Sequence, residues 1–130
     1  MLKKLSLIIS TLYTLTLTAF SLIHLKAVVV DLPSFNDKLA HTLAHFIFVI
    51  LWFVALHYKL KFKYNRAIVV VSLFSFVYGV LIELLQGWIT VSRQSDFKDV
   101  FANLLGTIIA IIVLLCVKKH VLKNKNTLLF

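Results

Sequence analysis

A chain of 130 residues that is 61% hydrophobic and 15% charged has too little polar surface for a soluble domain, which carries roughly a quarter charged residues. Its net charge of +9 would suit a nucleic-acid partner, but the basic residues are split among short stretches between long apolar runs, which points away from nucleic acid. The single cysteine, Cys116, rules out an intramolecular disulfide and any sulfur-rich metal centre.

Four runs approach the roughly 20 apolar residues needed to cross about 30 Å of hydrocarbon: residues 5–25, 39–58, 67–86 and 100–117. The predicted fold is therefore an all-α, four-helix transmembrane bundle forming one integral membrane domain over 1–130, built as two helical hairpins. The first run follows Lys3 and Lys4 as a signal peptide would, yet it exceeds the usual apolar length and lacks a small-x-small cleavage site before Lys26. It reads as a retained first helix. Along it Ser6, Ser10, Thr14, Thr18 and Ser21 recur at spacings of three and four, a stripe of small residues suited to close helix packing.

The connection over 27–36 carries the only proline, Pro33, and Ser34 with Asp37 three residues on resembles a capping box for the second span. That span places Asp37, His41 and His45 at successive intervals of four, on one face. The basic segment 59–66 leads to the third span. There Ser72, Ser75 and Gly79 form a second small-residue stripe that runs into Glu83 and Gln86. The connection over 87–95 holds Trp88, an interfacial aromatic, and Arg93, after which Ser95 or Asp96 can cap the fourth helix. On that helix Asp99, Asn103, Gly106 and Ala110 share a face that is polar at its start and small further in.

Charge sets the expected orientation. Lys3, Lys4, Lys59, Lys61, Lys63, Arg66, Lys118, Lys119, Lys123 and Lys125 lie on one side with no acid, while Asp31, Asp37, Glu83, Asp96 and Asp99 share the other with Lys26, Lys38, Arg93 and Lys98. The excess of basic residues predicts a cytoplasmic location for both termini and the middle connection, with the acid-bearing side facing out. Asp37, Lys38, His41, Glu83, Gln86, Arg93, Asp96, Asp99 and Asn103 form the candidate polar site there, with Gly79 and Gly106 in packing roles. Taken singly, the aspartates are first-turn acids, the basic residues headgroup anchors and Asn103 a helix-helix hydrogen bond. Taken together they are a site, because caps and anchors do not call for His41 and Glu83 inside apolar segments. Glu83 is expected to pair with Lys38, Arg93 or His41.

The series Asp37-Lys38-x-x-His41, Glu83-x-x-Gln86, and Arg93 followed by Asp96, Asp99, Asn103 and Gly106 resembles the signature of the VanZ-like membrane proteins over about 37–112. Two positions depart from that pattern: His45 stands where an aromatic is usual, and Ala110 where a second glycine is common. The resemblance implies a multi-pass protein of the bacterial cytoplasmic membrane with its polar site toward the cell envelope. The founding relative is associated with low-level resistance to the glycopeptide teicoplanin. Three functions stand open. The outward cup binds an envelope lipid, a glycolipid or a membrane partner; or His41 and Glu83 act as acid and base on a lipid-linked envelope substrate; or the chain is a small transporter or channel subunit. Zinc held by His41 and His45 with Glu83 or Asp99 is the metal variant of the second, but a histidine on an apolar helix is more often core, and no metal or cofactor is expected.

Overall fold

A backbone crossing hydrocarbon must satisfy its own N–H and C=O groups, so runs of this length and composition form helices. The computed structural model describes residues 2–22, 34–89 and 96–128, with side chains described for 4–22, 37–89 and 96–123. Among these, four α-helices are present: α1 (Leu2–Leu22), α2 (Ser34–Val54), α3 (Tyr64–Ile89) and α4 (Phe97–Leu128). Each is long and apolar enough to cross a membrane. The segments holding His24, Asp31, Pro33 and Arg93 lie outside the described residues.

The helices run past the apolar limits read from sequence. Helix α3 starts at Tyr64 and ends at Ile89, so Gly87 and Trp88, expected in a connection, continue the helix. Helix α4 has 32 residues, about 48 Å at 1.5 Å per residue, and therefore projects beyond the hydrocarbon on its basic side. Lys and Arg favour helix well enough to carry it into water once it has started. Its other end is capped as expected: the Lys98 amide donates to Asp96 Oδ1 at 2.9 Å and the Asp99 amide to the Asp96 carbonyl at 2.9 Å.

Helix α2 passes directly into a π-helical turn, Ala55–Lys59. The Leu60 amide donates to the Ala55 carbonyl at 3.0 Å, and Lys61 then adopts φ 62°, the left-handed conformation that ends a helix. The reversal into α3 is consequently shorter than the expected segment 59–66. Aromatic packing stiffens this basic end: Phe53 and His57 stack at 5.5 Å, Tyr64 packs edge-on against both, and its hydroxyl donates to the Leu114 carbonyl at 2.6 Å.

Around an apolar core that includes Phe48, Val49 and Val71, burial differs from that of a soluble bundle. Leu12, Leu15, Leu73, Leu81, Trp88 and Ile112 are exposed, while Ser10, Ser75, His45, Glu83, Gln86, Asp99, Asn103 and Thr107 are buried. Lipid-facing side chains need no polar partners, whereas polar ones find them only inside the bundle. The stripe on α1 does this through cross-helix hydrogen bonds. Ser10 Oγ lies 2.9 Å from the Leu51 carbonyl and 2.8 Å from the Ser6 carbonyl, sharing its one proton between them; Trp52 Nε1 donates to Thr14 Oγ1 at 2.9 Å, and Tyr13 donates to the Ala44 carbonyl at 2.9 Å. Thr18 already gives its proton to the Thr14 carbonyl, so the 2.9 Å contact between Thr18 and Tyr78 has the tyrosine as donor. Further along, Gln86 Nε2 donates to the Ser21 carbonyl at 2.9 Å, tying α3 to α1.

The most extensive helix contact is between α2 and α4, and Gly106 is its tightest point. A Cβ there would overlap the Thr42 carbonyl oxygen and lie 3.0 Å from the Phe46 amide nitrogen, both backbone atoms that no rotamer change can move. Gly79 is crowded only by side chains, with the His45 ring at 3.0 Å and the Asn103 amide nitrogen at 3.2 Å. Small residues at such crossings let backbones meet. Gly106→Ala is therefore expected to destabilise the detergent-solubilised protein by roughly 2 kcal/mol or more, and Gly79→Ala by clearly less. Thermal unfolding followed by circular dichroism reads the difference; equal losses contradict the assignment of Gly106 as the closest approach.

Candidate functional site

Helices α2, α3 and α4 each bring polar side chains to the same end of the bundle. Lys38, in the first turns of α2, reaches across to α4, where its ammonium contacts Asp99 Oδ1 and lies 3.1 Å from Asp96 Oδ2. Asp96, at the start of α4, is held below the ordinary carboxylate range by the Lys98 amide and then by Lys38. The sign follows: these contacts favour the fold while Asp96 is ionised, and their contribution is lost as pH falls through that depressed value.

One turn deeper, His41 faces four acceptors. Its Nδ1 lies 3.1 Å from Asn103 Oδ1 and 4.0 Å from Glu83 Oε1; its Nε2 lies 3.7 Å from Asp99 Oδ2 and 3.9 Å from Asp37 Oδ1. An amide oxygen cannot donate, so the Asn103 contact assigns a proton to Nδ1. Glu83 is buried on α3 beside this ring. Of the pairings expected for Glu83, the described residues give His41, at a separation longer than a hydrogen bond. Lys38 goes instead to Asp96 and Asp99, because α2 and α4 meet directly at this end while Glu83 approaches from α3. Gln86 reaches α1 through its Nε2, which donates to the Ser21 carbonyl. Arg93 lies outside the described residues.

His45 is a buried residue of the core, not the zinc partner of His41 that its spacing also allowed. A zinc pair with His41 would need both rings on one ion, but His45 is buried one turn further in and its Nδ1 lies 2.8 Å from Ser75 Oγ. Ser75 lies 2.8 Å from Thr107 Oγ1, which donates to the Asn103 carbonyl at 3.1 Å. A carbonyl only accepts, so donation runs in one direction: His45 to Ser75, Ser75 to Thr107, Thr107 to Asn103. This chain links α2, α3 and α4 immediately below the polar cluster. Its ring also stacks on Phe48 at 5.9 Å, which itself stacks on Tyr78 at 4.9 Å. His45 thus packs as an aromatic ring and makes a hydrogen bond as well. Ser75 and Thr107 were not assigned together from sequence; Ser75 stood out only as a small residue.

Beside Glu83 and Asp96 a cavity of about 140 Å³ opens between α3 and α4, its other walls being Val80, Leu84, Phe97 and Val100. Leu84 and Phe97 are exposed on the lateral surface. The polar cluster thus adjoins an apolar recess at the side of the bundle.

Residues 3–118 match the VanZ/LLP1 family, and the chain belongs to that family. With four helices of spanning length it is a multi-pass membrane protein. No curated protein and no solved structure matches it.

The serines on α3 give a direct check of the chain below the cluster. Ser75→Ala orphans a buried N–H of His45 and is expected to cost about 1–3 kcal/mol. Ser72, whose hydroxyl bonds only to the Ile68 carbonyl of its own helix, should tolerate alanine with a change below roughly 0.5 kcal/mol. Equal effects of the two variants in thermal unfolding would remove the chain as a structural element.

Proposed function

We propose that this protein resides in the bacterial cytoplasmic membrane with both termini in the cytoplasm, and that its acid-bearing end faces the cell envelope and binds a lipid or glycolipid there by the headgroup. The orientation is supported by charge. Lys59, Lys61, Lys63, Arg66, Lys118, Lys119 and Lys123 gather at the end opposite Asp37, Asp96 and Asp99, and basic residues favour the cytoplasmic face.

The observation that carries the binding reading is the cavity shared by Glu83 and Asp96 with Val80, Leu84, Phe97 and Val100. A lipid in the surrounding leaflet can lay an acyl chain along Leu84 and Phe97 while its headgroup meets the cluster. Acidic and basic groups at the membrane interface suit a zwitterionic or phosphorylated headgroup, with Lys38 and Arg93 as the phosphate partners. Lys38 is held by two carboxylates, so a phosphate must take it from them, and binding should reorganise the Lys38 side chain. An influence on teicoplanin susceptibility would follow from engagement of an envelope lipid. The acid-base reading for His41 and Glu83 is less favoured, since the His41 Nδ1 that faces Glu83 is engaged by Asn103.

Native mass spectrometry of the protein released from detergent tests this reading. The wild type should retain a lipid-sized adduct that Lys38→Ala and Glu83→Gln lose, with all three proteins monodisperse and helical. Equal retention in the three, or no adduct in any, contradicts headgroup binding at the cluster.

A further inference from the structure

The described part of the cluster is acidic. Asp37, Glu83, Asp96 and Asp99 approach Lys38 and His41 from α2, α3 and α4. Bringing carboxylates together in a low-dielectric setting is unfavourable unless cations accompany them. Lys38 offsets part of this, on Asp96 and on one oxygen of Asp99. The second oxygen of Asp99 points elsewhere, toward His41 Nε2.

The geometry around that nitrogen is specific. With Nδ1 turned to Asn103, Nε2 is directed at Asp99 Oδ2 and Asp37 Oδ1, 3.7 and 3.9 Å away. Both separations are too long for a hydrogen bond. One imidazole nitrogen and two carboxylate oxygens converging in this way form a donor set that a cation between them would satisfy. Zinc bonds its nitrogen and oxygen ligands at about 2.0–2.2 Å, so two ligand atoms on a tetrahedral ion lie about 3.4 Å apart. The three atoms here all fall within 4.8 Å of one another; an ion would draw each nitrogen–oxygen pair in from 3.7 and 3.9 Å by a few tenths of an ångström, and the two carboxylate oxygens toward each other by up to about 1.4 Å. A metal-bound histidine commonly donates its other N–H to an oxygen acceptor that fixes the ring, and Asn103 Oδ1 occupies that position.

We propose that Asp37, His41 and Asp99 bind a divalent transition-metal ion, with His41 Nε2, Asp37 Oδ1 and Asp99 Oδ2 as ligands and Asn103 orienting the ring. The nitrogen-plus-carboxylate donor set suits zinc over magnesium or calcium, which favour all-oxygen shells. Three protein ligands leave a fourth position open to water or an anionic oxygen. This ligand set differs from the His41–His45 pair that sequence spacing offered, because His45 is committed to Ser75. The site stands independently of headgroup binding.

The test uses the full-length protein in detergent, stripped with chelator and then titrated with Zn²⁺ alone by isothermal calorimetry, with bound metal measured by elemental mass spectrometry. One equivalent should bind to the wild type and to His45→Ala. His41→Ala and Asp99→Asn should each lose at least tenfold in affinity, and Asp37→Asn, altered at the more exposed rim, should lose affinity while keeping the wild-type helical spectrum. Absence of a stoichiometric site overturns the proposal, as does a site that survives in His41→Ala or disappears in His45→Ala. Lipid adducts are read separately, so a metal result in either direction leaves the headgroup reading to its own test.

Discussion

The close approach of α2 and α4 is the constraint on which the rest of the structure depends. Gly106 brings the two backbones together at Thr42 and Phe46, and the Thr42 hydroxyl shares its proton between the Lys38 carbonyl of its own helix at 2.9 Å and the Ala102 carbonyl across the crossing at 3.2 Å. With that contact fixed, side chains one and two turns toward the acidic end must meet. Lys38 meets Asp99, and His41 meets Asn103 and Asp99. The polar cluster is thus a consequence of a glycine placed deeper in the membrane, where packing and not charge decides the geometry.

Hydrogen bonding in the interior completes the same logic. Within lipid, a buried hydroxyl or imidazole has no water to turn to, so each one becomes a tie between helices. Ser10, Thr14 and Tyr13 hold α1 against α2. His45, Ser75 and Thr107 join α2, α3 and α4 in a single directed chain that ends on the backbone carbonyl of Asn103. Asn103 therefore belongs to both layers: its backbone accepts from the chain below and its side chain faces His41 above. A change in the cluster is in this way mechanically connected to the core, and the end that carries ionisable groups is not a loose surface feature.

Much of this could be read from the residues themselves. Four apolar runs define four helices, and spacing of three and four placed Ser10, Thr14, Ser75, Gly79, Asn103 and Gly106 on inward faces, because period and residue size are local properties. The assembly of Lys38, His41, Glu83, Asp96 and Asp99 at one end followed from their positions near helix termini. Partner choice was less legible. Lys38 selects Asp96 and Asp99 over Glu83 through the rotation of α2 against α4, which no linear spacing encodes. His45 looked like half of an i, i+4 metal pair, yet its ring turns to Ser75, since a buried imidazole takes the nearest hydroxyl on a neighbouring helix. Helix ends were misjudged for a related reason: apolar runs mark the hydrocarbon, whereas α3 and α4 continue through polar residues once formed.

The central claim is that the ionisable residues form one coupled unit across α2 and α4. A double-mutant cycle on Lys38 and Asp99, using Lys38→Met, Asp99→Asn and the double variant with unfolding free energies measured in detergent, tests it most directly. The account predicts a coupling energy of roughly 0.5–3 kcal/mol, the range for residues in one charged network. Additive effects, with coupling indistinguishable from zero, would mean that the two side chains do not act together and that the cluster is a set of separate anchors.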